Sequence, residues 1–328
     1  MRIGIIGAAG GQGHRFLELC LECDIEFVLY DHHGEVKNKY DEKHYKITII
    51  LDDLLKCDGV IIASPNKSHL HYIQYFIRKG YGGYIYCEKP PVSDKDELSQ
   101  LERMDESVKK KILFGFSLER SLYKKILDGQ YNLGHLLYCN IISGHGLGFK
   151  SFYKDSWRND VDMCKNGIFS MVSIHYIEIF IAKYGLPKKE NFFESVKAPG
   201  GINVDNNLYS AIWGDEKILL NLFVSYTTPL IEESDFVFDN GYISITGNEI
   251  VIYAPRDCFD LNGMFRTPDV VERIPIGTAD IWKNALMENF KFFIENIRQQ
   301  TDIPLKEFEN SIIVNKYIFD TEARLSSR

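Results

Sequence analysis

Five short apolar runs, separated by amphipathic stretches, govern what the first third of this chain can become. They are "RIGIIG", "EFVLYD", "GVIIAS", "YIYCEK" and "ILFGF". Between them, residues 13–23, "HLHYIQYFIRKG" and "DKDELSQLERMDESVKKK" place apolar residues at helical spacing. Strands that alternate with helices at this interval build βαβ units, and the crossovers lay helices on both faces of a parallel sheet. The first part of the chain is therefore expected to be a doubly wound α/β domain.

Near residue 118 the texture changes. "HLLYCNIISGHG", "NLYSAIWGD", "ILLNLFVSYTT", "SDFVFDN" and "GYISITGNEIVIYA" are longer and alternate apolar with polar residues. That is the pattern of an antiparallel sheet with one covered face. A helix over 167–184 interrupts these strands, and two more close the chain, over about 280–300 and 305–325. A chain of 328 residues suits about two hydrophobic cores. We expect residues 1–118 to form the doubly wound domain, and residues 119–328 an α+β domain with an open, mostly antiparallel sheet.

Composition narrows the partners. Hydrophobic residues make up 45% and charged residues 26%, and 21 Phe with 19 Tyr supply core material, so a folded globular protein is expected. Net charge is −8, and the densest basic run, Lys109 to Lys111, reads as a solvated helix end, which argues against nucleic acid. "MRIGIIG" already enters a strand, and no run of about 18 apolar residues is present to span a bilayer. A cytoplasmic location and no membrane partner are expected. The seven cysteines are scattered and read as reduced thiols; Cys20 and Cys23 fall in a helical pattern and read as core. The nine histidines are dispersed, and no metal site is expected.

After the first strand comes "GAAGGQGHR", with Gly7, Gly10 and Gly13 spaced as GxxGxxG and Gly11 added. Such a turn lets backbone approach a pyrophosphate and aims amides at it from a helix N-terminus. Gly7, Ala9, Gly10, Gly11, Gln12 and Gly13 are the candidate phosphate-binding residues. Asp31 closes the second strand, where an acid accepts hydrogen bonds from an adenosine ribose and repels a 2′-phosphate. NAD is favoured over NADP on that ground.

Further on, "GVIIASPNKSHLHYIQYFIRKG" and "YCEKPPVSD" bring Ser64, Pro65, Asn66, His69, Glu88, Lys89 and Pro90 in one order. With "SWRNDVDMCKNGIFSMVSIHYIEIF" and the closing "EFENSIIVNKYIFDTEARLSSR", this order resembles the Gfo/Idh/MocA oxidoreductases along nearly the whole chain. The resemblance implies a Rossmann domain followed by an α+β substrate and oligomerisation domain. It also implies NAD contacts from Ser64, Pro65, Asn66, His69, Glu88, Lys89, Trp157 and Arg158, and a homodimer or homotetramer. Oxidising a secondary alcohol requires a cation beside the oxygen and a base for its proton. Lys89, at a strand end facing the cofactor crevice and held by the following Pro90, is the expected cation. Glu88 either orients it or meets the nicotinamide ribose. Arg158 can bind a carboxylate or phosphate in a fork, or sit in a structural salt bridge. Arg120 is a further substrate candidate, although "SLER" departs from the family's Asn/His-Arg pattern there.

The departure with the largest consequence lies in the second domain. Family members carry an acid four residues before the histidine of the interrupting helix, so that both share one face. Here the histidine is His175, the earlier position is Met171, and Ser173 replaces a glycine. A thioether carries no proton. Three readings stay open: His175 suffices with Lys89, Glu178 takes over part of the acid's role, or the dehydrogenase chemistry is lost. The expected function is an NAD-dependent oxidoreductase acting on a sugar, polyol or nucleotide sugar, with Lys89, Arg120, Arg158 and His175 at the substrate. The alternatives are an NAD-assisted glycosidase or elimination enzyme, and a non-catalytic NAD-binding sensor or scaffold.

Overall fold

The computed structural model describes residues 1–31, 36–41, 43–165, 167–277 and 279–325. By contacts between residues the chain divides into two units, one of residues 1–116 with the chain from Met287 onward, the other of Ser117–Leu286.

The first unit follows the strand–helix alternation. Its elements are β1 (Arg2–Ile6), α1 (Gly11–Glu22), β2 (Glu26–Tyr30), α2 (Val36–Lys39), β3 (Ile47–Thr48), β4 (Gly59–Ile62), α3 (His69–Arg78), β5 (Tyr84–Cys87), α4 (Lys95–Glu102), α5 (Glu106–Lys109) and β6 (Ile112–Phe114). The strands form one parallel sheet in the order β3-β2-β1-β4-β5-β6. This is the doubly wound order, and it reverses between β1 and β4, where the carboxyl ends of the strands open a crevice for a dinucleotide. β4 and β5 are buried at every residue, as strands covered on both faces must be. Asp94 caps α4 by accepting from the Glu97 amide at 2.9 Å, and Glu97 Oε2 accepts in return from the Ser93 amide and hydroxyl. That pair of contacts stops the chain leaving Lys89 and starts the helix.

The second unit holds α6 (Leu122–Leu127), β7 (Leu136–Gly144), α7 (Ile174–Tyr184), β8 (Lys189–Ser195), β9 (Asn206–Trp213), β10 (Ile218–Ser225), β11 (Ile231–Phe238), β12 (Gly241–Ile245), β13 (Glu249–Tyr253) and β14 (Val270–Pro275). Its sheet runs β14-β13-β12-β11-β7-β10-β9-β8, antiparallel except for the β7–β10 pair. Burial alternates along β10 and β11, so one face is covered. Tyr123 of α6 meets Phe236 at 5.7 Å between ring centroids, and Phe180 of α7 meets Trp213 at 5.5 Å. "GYISITGNEIVIYA" is a hairpin of two strands rather than one. The edge strands β8 and β14 were not foreseen, because their residues are mostly exposed and carry little apolar periodicity.

The chain closes with α8 (Asp280–Gln299) and α9 (Leu305–Leu325), as expected in extent. Their place differs from the expected 119–328 domain, since from Met287 onward they belong to the first unit. Asn289 donates to the Tyr86 hydroxyl at 3.0 Å, Phe293 packs on Tyr86, Phe308 packs on Phe114, and Lys95 pairs with Asp320 at 2.7 Å. An amphipathic pattern announces that a helix buries a face, not which sheet receives it. Among the described residues no helix is long and apolar enough to cross a membrane. All seven cysteines are free, and Cys20 is buried with its thiol pushed up to about 12 by loss of solvent, as a core residue.

Candidate functional site

The glycine turn after β1 sorts its glycines into two kinds. Gly7 has φ +77°, and its amide and that of Ala8 donate to the Tyr30 carbonyl at the end of β2, at 3.1 and 3.5 Å. A Cβ on Gly7 would lie 2.8 Å from Ala63 O, and one on Gly13 would lie 2.3 Å from Gly7 O. Packing of the turn on itself and on β4 therefore demands both residues. Gly11 differs, since nothing stands within 4 Å of a Cβ built there. Gly10 and Gly11 are exposed, Ala9 is half-buried, and α1 opens with neither a side-chain cap nor an acid in its first turn. An uncapped helix start behind an open glycine presents free amides of the kind that bind an anion, a pyrophosphate among them. Asp31, half-buried, follows β2.

The ends of β4 and β5 carry the remaining first-unit candidates. Ser64 Oγ bonds Ser68 Oγ at 2.7 Å, and Pro65 leads into Asn66. Asn66 is buried, and its Oδ1 meets no hydrogen-bond donor among the described residues. A buried acceptor of that kind is what a donor group on a bound ligand would satisfy. His69 behaves differently from expectation. It is 1% exposed, with Nδ1 2.9 Å from Pro90 O and Nε2 2.9 Å from Ser64 O. Each ring nitrogen lies opposite a backbone carbonyl, and a neutral ring donates to one of the two, so His69 braces the Ser64 turn against the Pro90 turn. Loss of solvent lowers its pKa to about 4, the carbonyl contacts opposing and the nearby Lys89 charge assisting.

Glu88 is buried at the end of β5. Its Oε1 accepts from Gln12 Nε2 at 2.9 Å and its Oε2 from the Lys89 amide at 3.3 Å. Burial raises its pKa, while Lys89, Gln12 and Arg15 pull the other way. Gln12 is thus committed to Glu88, and through it the glycine turn is linked to the strand end that bears Lys89. Half-buried Lys89 precedes a cis peptide bond to Pro90, and its charge acts on Glu88 and His69 alike. Gln12, Ser64, His69, Glu88, Lys89 and Pro90 form one connected cluster, with the glycine turn on its flank.

In the second unit, the helix expected over 167–184 begins with a π-wound turn, Phe169–Ser173, before α7. Single π turns concentrate at functional sites, and the wider winding moves Met171 off the face that regular α-helical spacing would give it relative to His175. Met171, His175 and Glu178 are all buried. The His175 ring stands at 69° to the indole of Trp282, with centroids 5.0 Å apart. Arg158 lies 4.5 Å over the Trp157 ring, so the expected Trp-Arg pair is one stacked unit. Arg158 also lowers the Tyr226 hydroxyl pKa against the upward push of burial, and Tyr226 stacks on His145 at 5.1 Å. Arg120 is half-buried at the end of the 3-10 turn Ser117–Arg120, just before α6.

One group escaped the sequence reading. Glu232, in β11 and 4% exposed, accepts from Tyr123 and Tyr176 hydroxyls on Oε1 at 2.8 and 2.5 Å, and from Ser143 Oγ and Trp282 Nε1 on Oε2 at 2.7 and 3.1 Å. No short motif surrounds it. The only local signal is an acid at an inward position of an alternating strand.

Residues 1–116 match the family model described as "Oxidoreductase family, NAD-binding Rossmann fold", the Gfo/Idh/MocA model. That match bears out the resemblance over residues 1–116, and with it the NAD-type cofactor expected from the glycine turn. No protein with a curated description matches the chain in sequence. Among solved structures, UDP-N-acetylglucosamine 3-dehydrogenase from Acidithiobacillus ferrooxidans superposes with a TM-score of 0.70 at 18% identity, over 98% of this chain and 97% of that one. A myo-inositol dehydrogenase from Corynebacterium glutamicum gives 0.73 at 18% identity, over 96% and 93%. Levoglucosan dehydrogenase in complex with NADH and levoglucosan gives 0.74 at 15% identity, over 99% and 97%. At these identities the likeness concerns the fold, which is the expected α/β domain with a mixed, mostly antiparallel second sheet.

Proposed function

We propose that the chain is an NAD-dependent dehydrogenase acting on a secondary alcohol or ketone of a sugar, polyol or nucleotide sugar. The observation that carries this reading is the cluster at the end of β5, where Lys89 sits beside buried Glu88 and is joined through Gln12 to an uncapped, open glycine turn. A cofactor-facing cation on a buttressed strand end is what alcohol oxidation needs.

Gly10 and Gly11 would hold the pyrophosphate, Asp31 the adenosine ribose, and Asn66 Oδ1 would accept from the bound dinucleotide. NAD, when bound, supplies the hydride acceptor. Lys89 polarises the substrate oxygen, and Glu88 keeps the ammonium charged and turned toward the site. His175 takes the hydroxyl proton; Arg120 and Arg158 bind the remainder of the substrate. The three dehydrogenases above act on, or are named for, UDP-N-acetylglucosamine, myo-inositol and levoglucosan, and these define the first substrates to try. The reading extends to a cytoplasmic homodimer or homotetramer, which sedimentation velocity checks.

Buried Met171 favours one competing reading, a protein that binds NAD without turnover. The test is absorbance of reduced nicotinamide during incubation with NAD and each of the three compounds. Stoichiometric NADH supports the dehydrogenase. NAD binding by calorimetry with no NADH, and no other product, on any of the three sinks it in favour of the sensor. Product formed with catalytic NAD and no net NADH assigns an elimination.

A further inference from the structure

We propose that Glu232 is a positioning residue for His175: its buried carboxylate pins the indole of Trp282 against the imidazole, fixes α7 through Tyr176, and favours the protonated imidazole. The proposal rests on the reading of His175 as the proton carrier, and its test is independent of that reading.

An ionised carboxylate only accepts hydrogen bonds, and it has about four lone-pair sites. Glu232 meets four donors, two on each oxygen, from β7, α6, α7 and α8. Trp282 Nε1 can only donate, so Oε2 must accept from it. The set matches the anion. A glutamine would turn one amide toward two donors. Burial nonetheless pushes the carboxyl upward, and the four hydrogen bonds hold it down. The strongest opposing influences are neutral donors rather than a cation, which is an expensive way to keep a charge in a core.

What that charge holds is the wall around His175. Trp282 stands between the two, with its nitrogen on Glu232 and its ring centroid 5.0 Å from that of His175. Tyr176, the next residue of α7, bonds Glu232 directly and meets the same indole at 5.7 Å and 86°. The indole beside the imidazole and the next residue of α7 are therefore held by one carboxylate. A negative charge in so dry a setting also acts over several ångströms, and it favours the imidazolium. Where Met171 stands in place of the expected acid, Glu232 supplies a negative charge from β11, outside the helix.

Other titratable groups share the surroundings. Glu178 lies on α7 itself; Glu119 and Arg120 lie on the turn packed against α7; Lys124 of α6 pairs with Glu119 at 3.7 Å. Tyr123 and Tyr176 carry the remaining protons, and both hydroxyls are held well above their ordinary pKa by burial and by Glu232. None is altered in the variants of Glu232 and Trp282.

The experiment is a titration of the His175 ring C–H resonance in the full chain, assigned with His175→Asn and run without NAD or substrate. Glu232→Gln should lower the His175 midpoint by about half a unit or more. Trp282→Phe keeps a ring beside the imidazole but removes the donor, and should move the His175 resonance at fixed pH and lower the midpoint less. Tyr123→Phe removes a donor that does not reach His175, and should lower Tm while leaving the midpoint in place. A folded Glu232→Gln with an unmoved midpoint overturns the proposal. Should that variant not fold, an unmoved resonance and midpoint in Trp282→Phe overturn it equally. A chain that turns over no substrate leaves this titration readable, so the two readings fail separately.

Discussion

Glu88 and Glu232 are both buried carboxylates with pKa values raised by loss of solvent, one in each unit, yet they are kept in opposite ways. Glu88 is compensated first by the charge of Lys89, the next residue in the chain, and then by Gln12. Glu232 is compensated by hydroxyls and an indole brought from four other elements. The first arrangement sits at a strand end beside an open turn, where a ligand can share the charge. The second is closed on all sides and can act only through what it holds. Burial alone thus does not separate an acid beside an open turn from one enclosed by donors; the chemistry of the partners does.

Removing the cation breaks the first arrangement most severely. Lys89→Ala should lower kcat by about 10²- to 10⁴-fold, while calorimetry gives an NAD Kd close to that of the wild type. Unchanged turnover would remove the lysine from the mechanism. The same variant deprives Glu88 of its largest compensating influence, so it should also raise the Glu88 pKa further.

The pH dependence of stability sharpens the contrast, because His69 and the two carboxyls shift in opposite directions. His69 is lowered from an ordinary value near 6.5 to about 4, so its stabilising contribution is complete above the unfolded value and is lost as pH falls through about 4. The full contribution is of the order of 3 kcal/mol. The raised carboxyls act the other way: their contribution is present at low pH and is lost as pH rises through their folded values. Urea melts from pH 7 down to pH 4 should show the wild type losing more stability than His69→Gln. Parallel slopes would mean that His69 is charged in the folded protein, with both carbonyls accepting from it.

How much of this was legible depended on the range of the interactions. Lys89, Glu88 and the glycine turn could be read because each belongs to a contiguous stretch whose conformation is local: a strand, a tight turn, the start of a helix. The doubly wound class followed from alternation alone, whereas the strand order is set by pairings that the alternation does not specify. His69 was read as a cofactor contact, and only its two carbonyl neighbours, 5 and 21 residues away, reveal a brace. Glu232 was invisible, since its donors lie 50 to 109 residues distant and share no spacing. The closing helices were found but misplaced for the same reason. The π turn at Met171 was hidden because winding by one residue leaves no mark on an apolar pattern.

Within the glycine turn, two neighbouring positions give opposite expectations. Gly13→Ala places a Cβ against the Gly7 carbonyl and should cost about 1–3 kcal/mol of stability, with NAD binding weakened as a consequence. Gly11→Ala enters open space, so Tm should hold while NAD affinity falls. Equal losses of Tm would mean that Gly11 is structural and the cradle lies elsewhere.

The smallest expected effect concerns the cofactor's far end. Asp31 stands after β2, the strand whose final carbonyl is taken by the Gly7 and Ala8 amides, so the acid follows directly on the residue that meets the turn. In the proposed function its negative charge would disfavour a 2′-phosphate by direct repulsion, and its oxygens would accept from a ribose diol. Asp31→Ser keeps a hydroxyl for the ribose and removes the repulsion, so the preference for NAD over NADP should fall by about tenfold, mainly through tighter NADP binding. Paired titrations of both dinucleotides read this directly. A ratio that does not move would place the adenosine ribose away from β2, and with it the orientation assigned to the nicotinamide near Lys89.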